Sequence, residues 1–181
     1  MRFRELNESE LSDAQKSAIK EIVAAPGKGL SSPMKVLVRS PELALRAKSI
    51  SIYLNTMSSL TERILQMVIL ITAKYWRAET MWSSHSKQAL KAGLSSNIVS
   101  ALALGKHPEE MMENEDSAYR FCTELHNRKA VSDETFEAAI KVFGEKGVAD
   151  LIAACGYYSL VAMALKAVNN KLPPGEIGIP L

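Results

Sequence analysis

Residues 64–73, ILQMVILITA, are apolar at every position but Gln66 and Thr72. A helix without a polar face belongs inside a core or between subunits, so this run predicts a buried central helix, capped by Ser59 or Thr61. The pattern breaks at Lys74-Tyr75-Trp76-Arg77. A second helical stretch follows, AETMWSSHSKQALKAGL, with His85 in its interior and Gly93 as its stop.

The rest of the chain has the same helical period. Ser12-Asp13 predicts a helix from residue 13 to about 24, with Ala18, Ile19, Ile22 and Val23 as its apolar stripe. Pro26-Gly27-Lys28-Gly29 and Ser31-Ser32-Pro33 read as one loop. Ser40-Pro41-Glu42 joins a cap, a first-turn proline and an acid; it predicts a helix to about Thr56 that buries Leu43, Ala47, Ile50 and Leu54.

Ser95 starts a short helix that Gly105 ends, and His107-Pro108-Glu109-Glu110 opens a loop or weak helix. Residues 114–128 are helical in spacing through Ala118, Phe121, Cys122 and Leu125. Ser132 caps a helix that stops at Phe143-Gly144, and a last helix runs from about Lys146 to Val168, ended by Asn169-Asn170. Residues 172–181, LPPGEIGIPL, have no helical period. No strand or internal repeat is visible, so the expected class is all-α.

Composition adds limits. With 181 residues, 47% hydrophobic and 23% charged, the chain is ordinary globular protein of one-domain length. The net charge of +2 is scattered, without the basic run that tracks a phosphate backbone, so nucleic acid is not an expected partner. The N-terminal residues are charged and lack the apolar core of a secretory signal. Residues 148–168 approach spanning length but contain Asp150, Lys166 and two tyrosines, which favours a buried or intersubunit helix over a membrane span. Cys122 and Cys155 lie far apart without a CxxC and are expected to be free thiols in a reducing, cytoplasmic setting.

Several of these stretches resemble a known family. SPELALRAKSISIYL, KYWRAETMWSSHSKQALKAGLS, SAYRFCTELHNRKAVSDETFEAAIKVFGEKGVADLI, GYYSLVAMALKAV and LPPG occur in the order seen in the carboxymuconolactone decarboxylase family, which includes the alkylhydroperoxidase D (AhpD) type proteins. The resemblance implies an AhpD-like helical domain over residues 41–171, preceded by an N-terminal helix and loop (1–40) and followed by an extended tail (172–181). It also implies an obligate homo-oligomer, a trimer or hexamer, which would cover helices too apolar for a monomer's surface.

The peroxidase branch of that family uses a CxxC pair, a histidine four residues on, and an upstream glutamate. Aligned on His85, those positions are Ala78, Met81 and Gln66, so the thiols that attack a peroxide and resolve the sulfenic acid are absent there. The decarboxylase-like branch shows an EYEWxxH-like stretch where this chain has Glu79-Thr80-Met81-Trp82-Ser83-Ser84-His85. The resemblance therefore implies a carboxy-lyase on a small cyclic carboxylated lactone from aromatic catabolism. His85 is its expected proton donor, tuned near neutral pH, with Gln66, Ser84 and Tyr75 as donors to the lactone carbonyl. Glu79, Trp82, Tyr75 and Met81 are the expected substrate-binding residues.

Other readings stay open beside this one. A histidine in an apolar helix also serves as a plain core residue, and Gln66 suits a helix-to-helix hydrogen bond as well as a ligand contact. Cys122 and His126 stand one helical turn apart, as a nucleophile and its base would. Tyr157 and Tyr158 read as core or subunit packing. Lys74 and Arg77 read as helix-end cations or as a lure for a carboxylate. Cofactor and metal are both expected to be absent, because no two of His85, His107 and His126 make an i, i+4 pair and no phosphate-binding glycine loop occurs. The alternatives to a lyase are a peroxidase-type redox protein and a non-catalytic oligomeric binder of small molecules.

Overall fold

The computed structural model describes residues 2–4, 6–23 and 29–180, and these form helices and no strand. The chain begins with a short 3-10 turn at Glu8–Glu10 and then α1 (Asp13–Ile22). Ser12 and Gln15 cap α1 reciprocally: the Gln15 backbone N–H donates to Ser12 Oγ (3.2 Å) and the Ser12 N–H to Gln15 Oε1 (2.9 Å). Ala24 and Pro26-Gly27-Lys28 lie outside the described residues.

The Ser31-Ser32-Pro33 loop expected from the sequence is instead the start of a helix, α2 (Ser32–Leu37), with Ser31 at its cap. Pro33 sits in the first turn, where its missing N–H has no helical partner to lose. Met34 and Leu37 are buried, and α2 packs on α3 and α8. α1 also packs on α3, so residues before 41 share the core of the rest.

α3 (Pro41–Thr56) has the expected bounds and cap position at Ser40, but not the expected inner face. Ala47 and Leu54 are buried with Ala44, whereas Leu43 and Ile50 are 44% and 42% exposed. Residues 44, 47 and 54 form one helical stripe, and 43 and 50 lie along one edge of it, roughly 50–75° from its centre. The small alanines bring α3 close to its neighbours and leave the larger side chains outside.

α4 (Glu62–Trp76) is the centre of the molecule. Thr61 caps it, accepting from the Ile64 N–H at 3.3 Å, while Ser59 donates to Asp150 instead. All ten residues 64–73 are buried, Gln66 and Thr72 included. α5 (Glu79–Lys91), α6 (Ser96–Leu104), α7 (Glu113–Arg128), α8 (Asp133–Ala167) and α3 all pack against α4. The chain thus buries α4 by itself and needs no second copy to do so. Left-handed Arg77, Gly93 and Gly105 end α4, α5 and α6, the two glycines as the sequence predicts.

Two buried acids tie α7 to α4, and α8 to α3 and the α3–α4 loop. Glu115 of α7 accepts from Arg63 Nε at 2.6 Å and from the Met112 N–H at 2.8 Å. Asp150 of α8 accepts from the Tyr53 hydroxyl (2.6 Å), Lys146 Nζ (2.9 Å), and the Ser59 N–H and hydroxyl (2.7 and 2.8 Å). Burial alone would raise the Asp150 pKa, but these donors outweigh it and bring it down to about 2.

α8 is interrupted at Gly144, whose φ of 67° and ψ of 175° are available at little cost only to glycine, so the predicted stop and restart are both present. α8 has the length and apolarity to cross a membrane, but 56% of its most apolar stretch is buried inside the fold. The tail after α8 has no regular structure beyond a turn, and Ile179 packs back onto the core.

Candidate functional site

α5 lies against α4 with Met81, Trp82 and Ala89 inward, and this face also carries His85. His85 Nδ1 is 2.8 Å from Gln66 Oε1. An amide oxygen can only accept, so Nδ1 carries the hydrogen and Nε2 keeps its lone pair. The Tyr158 ring meets the imidazole edge-on at 5.7 Å. Burial pushes the His85 pKa down to about 4, so at neutral pH the ring is uncharged. The expectation of a histidine tuned near neutrality does not hold for the resting site.

His85 forms part of the wall of a cavity of about 410 Å³ between α2, α3, α5 and α8. Met81 and Ser84 share that wall, and Gln66 stands behind His85, away from the lining. The structure therefore assembles His85, Gln66, Ser84 and Met81 as one unit. Ser84 is exposed and its hydroxyl accepts from Gln88 Nε2 at 3.3 Å.

The other expected site residues lie elsewhere. Trp82 is 3% exposed and belongs to the core. Glu79 is exposed at the start of α5, with its carboxylate against Gly178 of the tail. Tyr75 sits on the opposite side of α4, stacked on His126 at 4.8 Å, so it cannot serve a substrate beside His85. Lys74 is engaged with the Ala103 carbonyl, and neither it nor Arg77 lines the His85 cavity.

Several lining residues were not singled out by the sequence, or were read as packing. Tyr157 and Tyr158 both face the cavity, with rings 5.1 Å apart. Burial raises both phenols, Tyr158 to about 12, against a lowering contact from Ser51 on Tyr157 and from Asn55 on Tyr158. Both therefore remain protonated, as hydrogen-bond donors. Lys48 and Asn55 of α3 complete the polar part of the wall. Their signal in the sequence is weak, because a polar residue on a half-exposed helix looks the same with or without a cavity.

The tail also brings an acid onto α5. Glu176 accepts from the Ser83 hydroxyl at 2.5 Å and from Lys87 Nζ at 2.6 Å, which bring its pKa down. It does not line the cavity. Among the described residues, no three His, Cys, Asp or Glu side chains are grouped as a metal site would require. No protein-family model matches the chain, and no curated protein sequence matches it.

Proposed function

We propose that this chain is a cofactor-free carboxy-lyase of the carboxymuconolactone decarboxylase type, acting on a small cyclic carboxylated lactone. One observation carries this reading. An imidazole with its Nδ1–H fixed by buried Gln66 presents a free Nε2 to a cavity that also offers an ammonium group, Lys48, and two protonated phenols.

Lys48 supports the substrate carboxylate, and the phenols of Tyr157 and Tyr158, with Ser84, support the lactone carbonyl. When the carbon–carbon bond to the carboxylate breaks, CO2 leaves and its electron pair passes into the carbonyl as an enolate. Hydrogen-bond donors aimed at that oxygen stabilise the developing charge. The carbon then takes a proton from His85 Nε2. A resting imidazole at about 4 has none to give, but an anionic substrate a few Å away favours the imidazolium. On this reading the proton is taken up together with the substrate, and the product leaves behind a neutral ring.

Aromatic-compound catabolism and a cytoplasmic setting belong to the same proposal, as does assembly into a trimer or hexamer. Leu43, Ile50, Ile52 and Met57, all exposed on or beside α3, support self-association. A peroxidase at this site has less support, since Ala78 and Met81 stand where the resemblance puts its thiols.

The test is CO2 release from 4-carboxymuconolactone by purified protein and by His85→Ala. Turnover that falls about a hundredfold or more in the variant, with folding intact, supports the reading. Turnover unchanged in His85→Ala keeps the lyase and removes its acid. No turnover, with the compound bound in the cavity, makes the chain a small-molecule binder.

A further inference from the structure

Across α4 from His85 lies a second cavity, of about 170 Å³, between the C-terminal parts of α4, α6 and α7. Ile71, Leu102 and His126 form its buried floor. Lys74, Tyr119 and Thr123 stand half-buried in its walls, and Lys106 and Asn127 are exposed at its mouth. Cys122, one turn before His126, is buried and lines neither this cavity nor that of His85, so the dyad suggested by the spacing puts no thiol in either.

No acid lines this cavity, and two ammonium groups do, on Lys74 and Lys106. A third, on Lys129, donates to the Tyr75 hydroxyl in the cavity wall and lies 4.3 Å from the centre of that ring. Acids occur nearby on α7, but arginines hold them: Asp116 pairs with Arg120 and Glu124 with Arg128, each at 2.7 Å. None of the three lysines is in an ion pair among the described residues. The carbonyl ends of α4 and α6 oppose an anion here, but each carries only about half a charge, and Lys74 already donates to the α6 end at Ala103. The local balance is positive.

The donors left over suit an oxyanion. An ammonium has three hydrogens, and Lys74 gives one to Ala103. Tyr75 accepts from Lys129, which leaves the hydrogen of its own hydroxyl to donate. The Thr123 hydroxyl is buried in the wall without a partner among the described residues, and orphans of this kind are rare. Ile71 and Leu102 present only carbon, so an ion with oxygens on every side, such as phosphate, would leave one unpaired against the floor. A carboxylate with a short carbon body avoids that cost. Liquid water takes roughly 30 Å³ per molecule, so the space holds about six non-hydrogen atoms.

We propose that this cavity is a second ligand site, for a short-chain carboxylate of about six non-hydrogen atoms. Lys74 and Lys106 hold the carboxylate through charge-assisted hydrogen bonds, and the carbon body rests on Ile71 and Leu102. The site shares no lining residue with the His85 cavity and does not depend on the lyase reading.

The experiment titrates the full-length, nitrogen-15-labelled protein with pyruvate and follows its backbone amide shifts by NMR. The expected result is saturable shifts centred on Lys74, Lys106 and Thr123, with a dissociation constant of about 1 mM. Pyruvamide, of the same size but uncharged, is expected to bind at least about tenfold more weakly, and Lys106→Glu to weaken pyruvate by about tenfold or more. Inorganic phosphate is expected to bind more weakly than pyruvate. No saturable shift by about 20 mM pyruvate overturns the proposal, as do shifts confined to the surroundings of Lys48 and Ser84. Pyruvamide binding as well as pyruvate, or Lys106→Glu without effect, removes the charge recognition and overturns it too. Phosphate binding more tightly than pyruvate makes this an inorganic-anion site instead. The comparison of pyruvate with pyruvamide needs no variant, so it decides even where Lys106→Glu fails to fold.

Discussion

α4 holds one histidine on each of two sides, and holds them in opposite tautomers. Gln66 accepts from His85 Nδ1, which leaves Nε2 facing a cavity of about 410 Å³. Thr72, whose hydroxyl hydrogen goes to the Val68 carbonyl, accepts from His126 Nε2–H at 2.9 Å, which leaves Nδ1 as the acceptor. The imidazoles are chemically identical, and what separates them is which nitrogen the central helix occupies. A buried polar residue that fixes one nitrogen decides where the other one can react.

The comparison breaks most severely on the His85 side, where His85→Ala should cost at least about a hundredfold in any turnover the cavity supports. Gln66→Glu sharpens it. A carboxylate in place of the amide should raise the His85 pKa from about 4 by roughly 1–3 units, read from the imidazole C2–H shift by NMR. A pKa that stays near 4 would mean that Gln66 does not set the ring's electrostatics.

Acid should separate the site from the scaffold. The His85 pKa is lower folded than unfolded, so its share of stability is present above about 6.5 and is lost as pH falls to about 4. That share is on the order of 2–3 kcal/mol, and His85→Gln should remove it from the difference between urea titrations at pH 7 and pH 4. Asp150 also has a lowered pKa, so its share persists above the usual carboxylate range and is lost only as pH falls toward about 2.

On the other side of α4 the effects should be smaller. Thr72→Val removes one buried acceptor and should cost about 1 kcal/mol in urea unfolding, with no change at the His85 site. Tyr75→Phe should leave turnover within about twofold, because Tyr75 stacks on His126 and not near His85. A large loss of turnover in Tyr75→Phe would mean that the His126 side of α4 communicates with the His85 cavity.

Much of this was legible in the chain. Thr61, Ser95, Ser132, Gly93, Gly105 and Gly144 mark element ends through local backbone chemistry, and each acts where it was expected. Gln66 and Thr72 stood out as the two polar residues of an apolar run, and they are the two that hold the histidines. Their partners were not legible, because pairing α4 with α5 and α7 is tertiary. The misplacement of Tyr75 was avoidable. Nine residues after Gln66 is about two and a half helical turns, which puts Tyr75 on the opposite face. α2 was missed because six residues are too few to show a period, and its serines and proline also signal loops. The inner face of α3 is not legible from side-chain size, because the small alanines Ala44 and Ala47 make the contact while Leu43 and Ile50 stay outside.

The complete burial of α4 also has a consequence during synthesis. Residues 67–73, MVILITA, carry no charge and no proline and are rich in β-branched side chains, the composition of segments that pair into cross-β aggregates. The last helix to cover them, α8, is completed roughly ninety residues after α4 ends. At about 5–20 residues per second, the nascent chain presents this segment for roughly 5–20 s before its shelter exists. The yield of soluble protein should therefore depend on translation speed and chaperone supply more steeply than the stability of the finished fold would suggest.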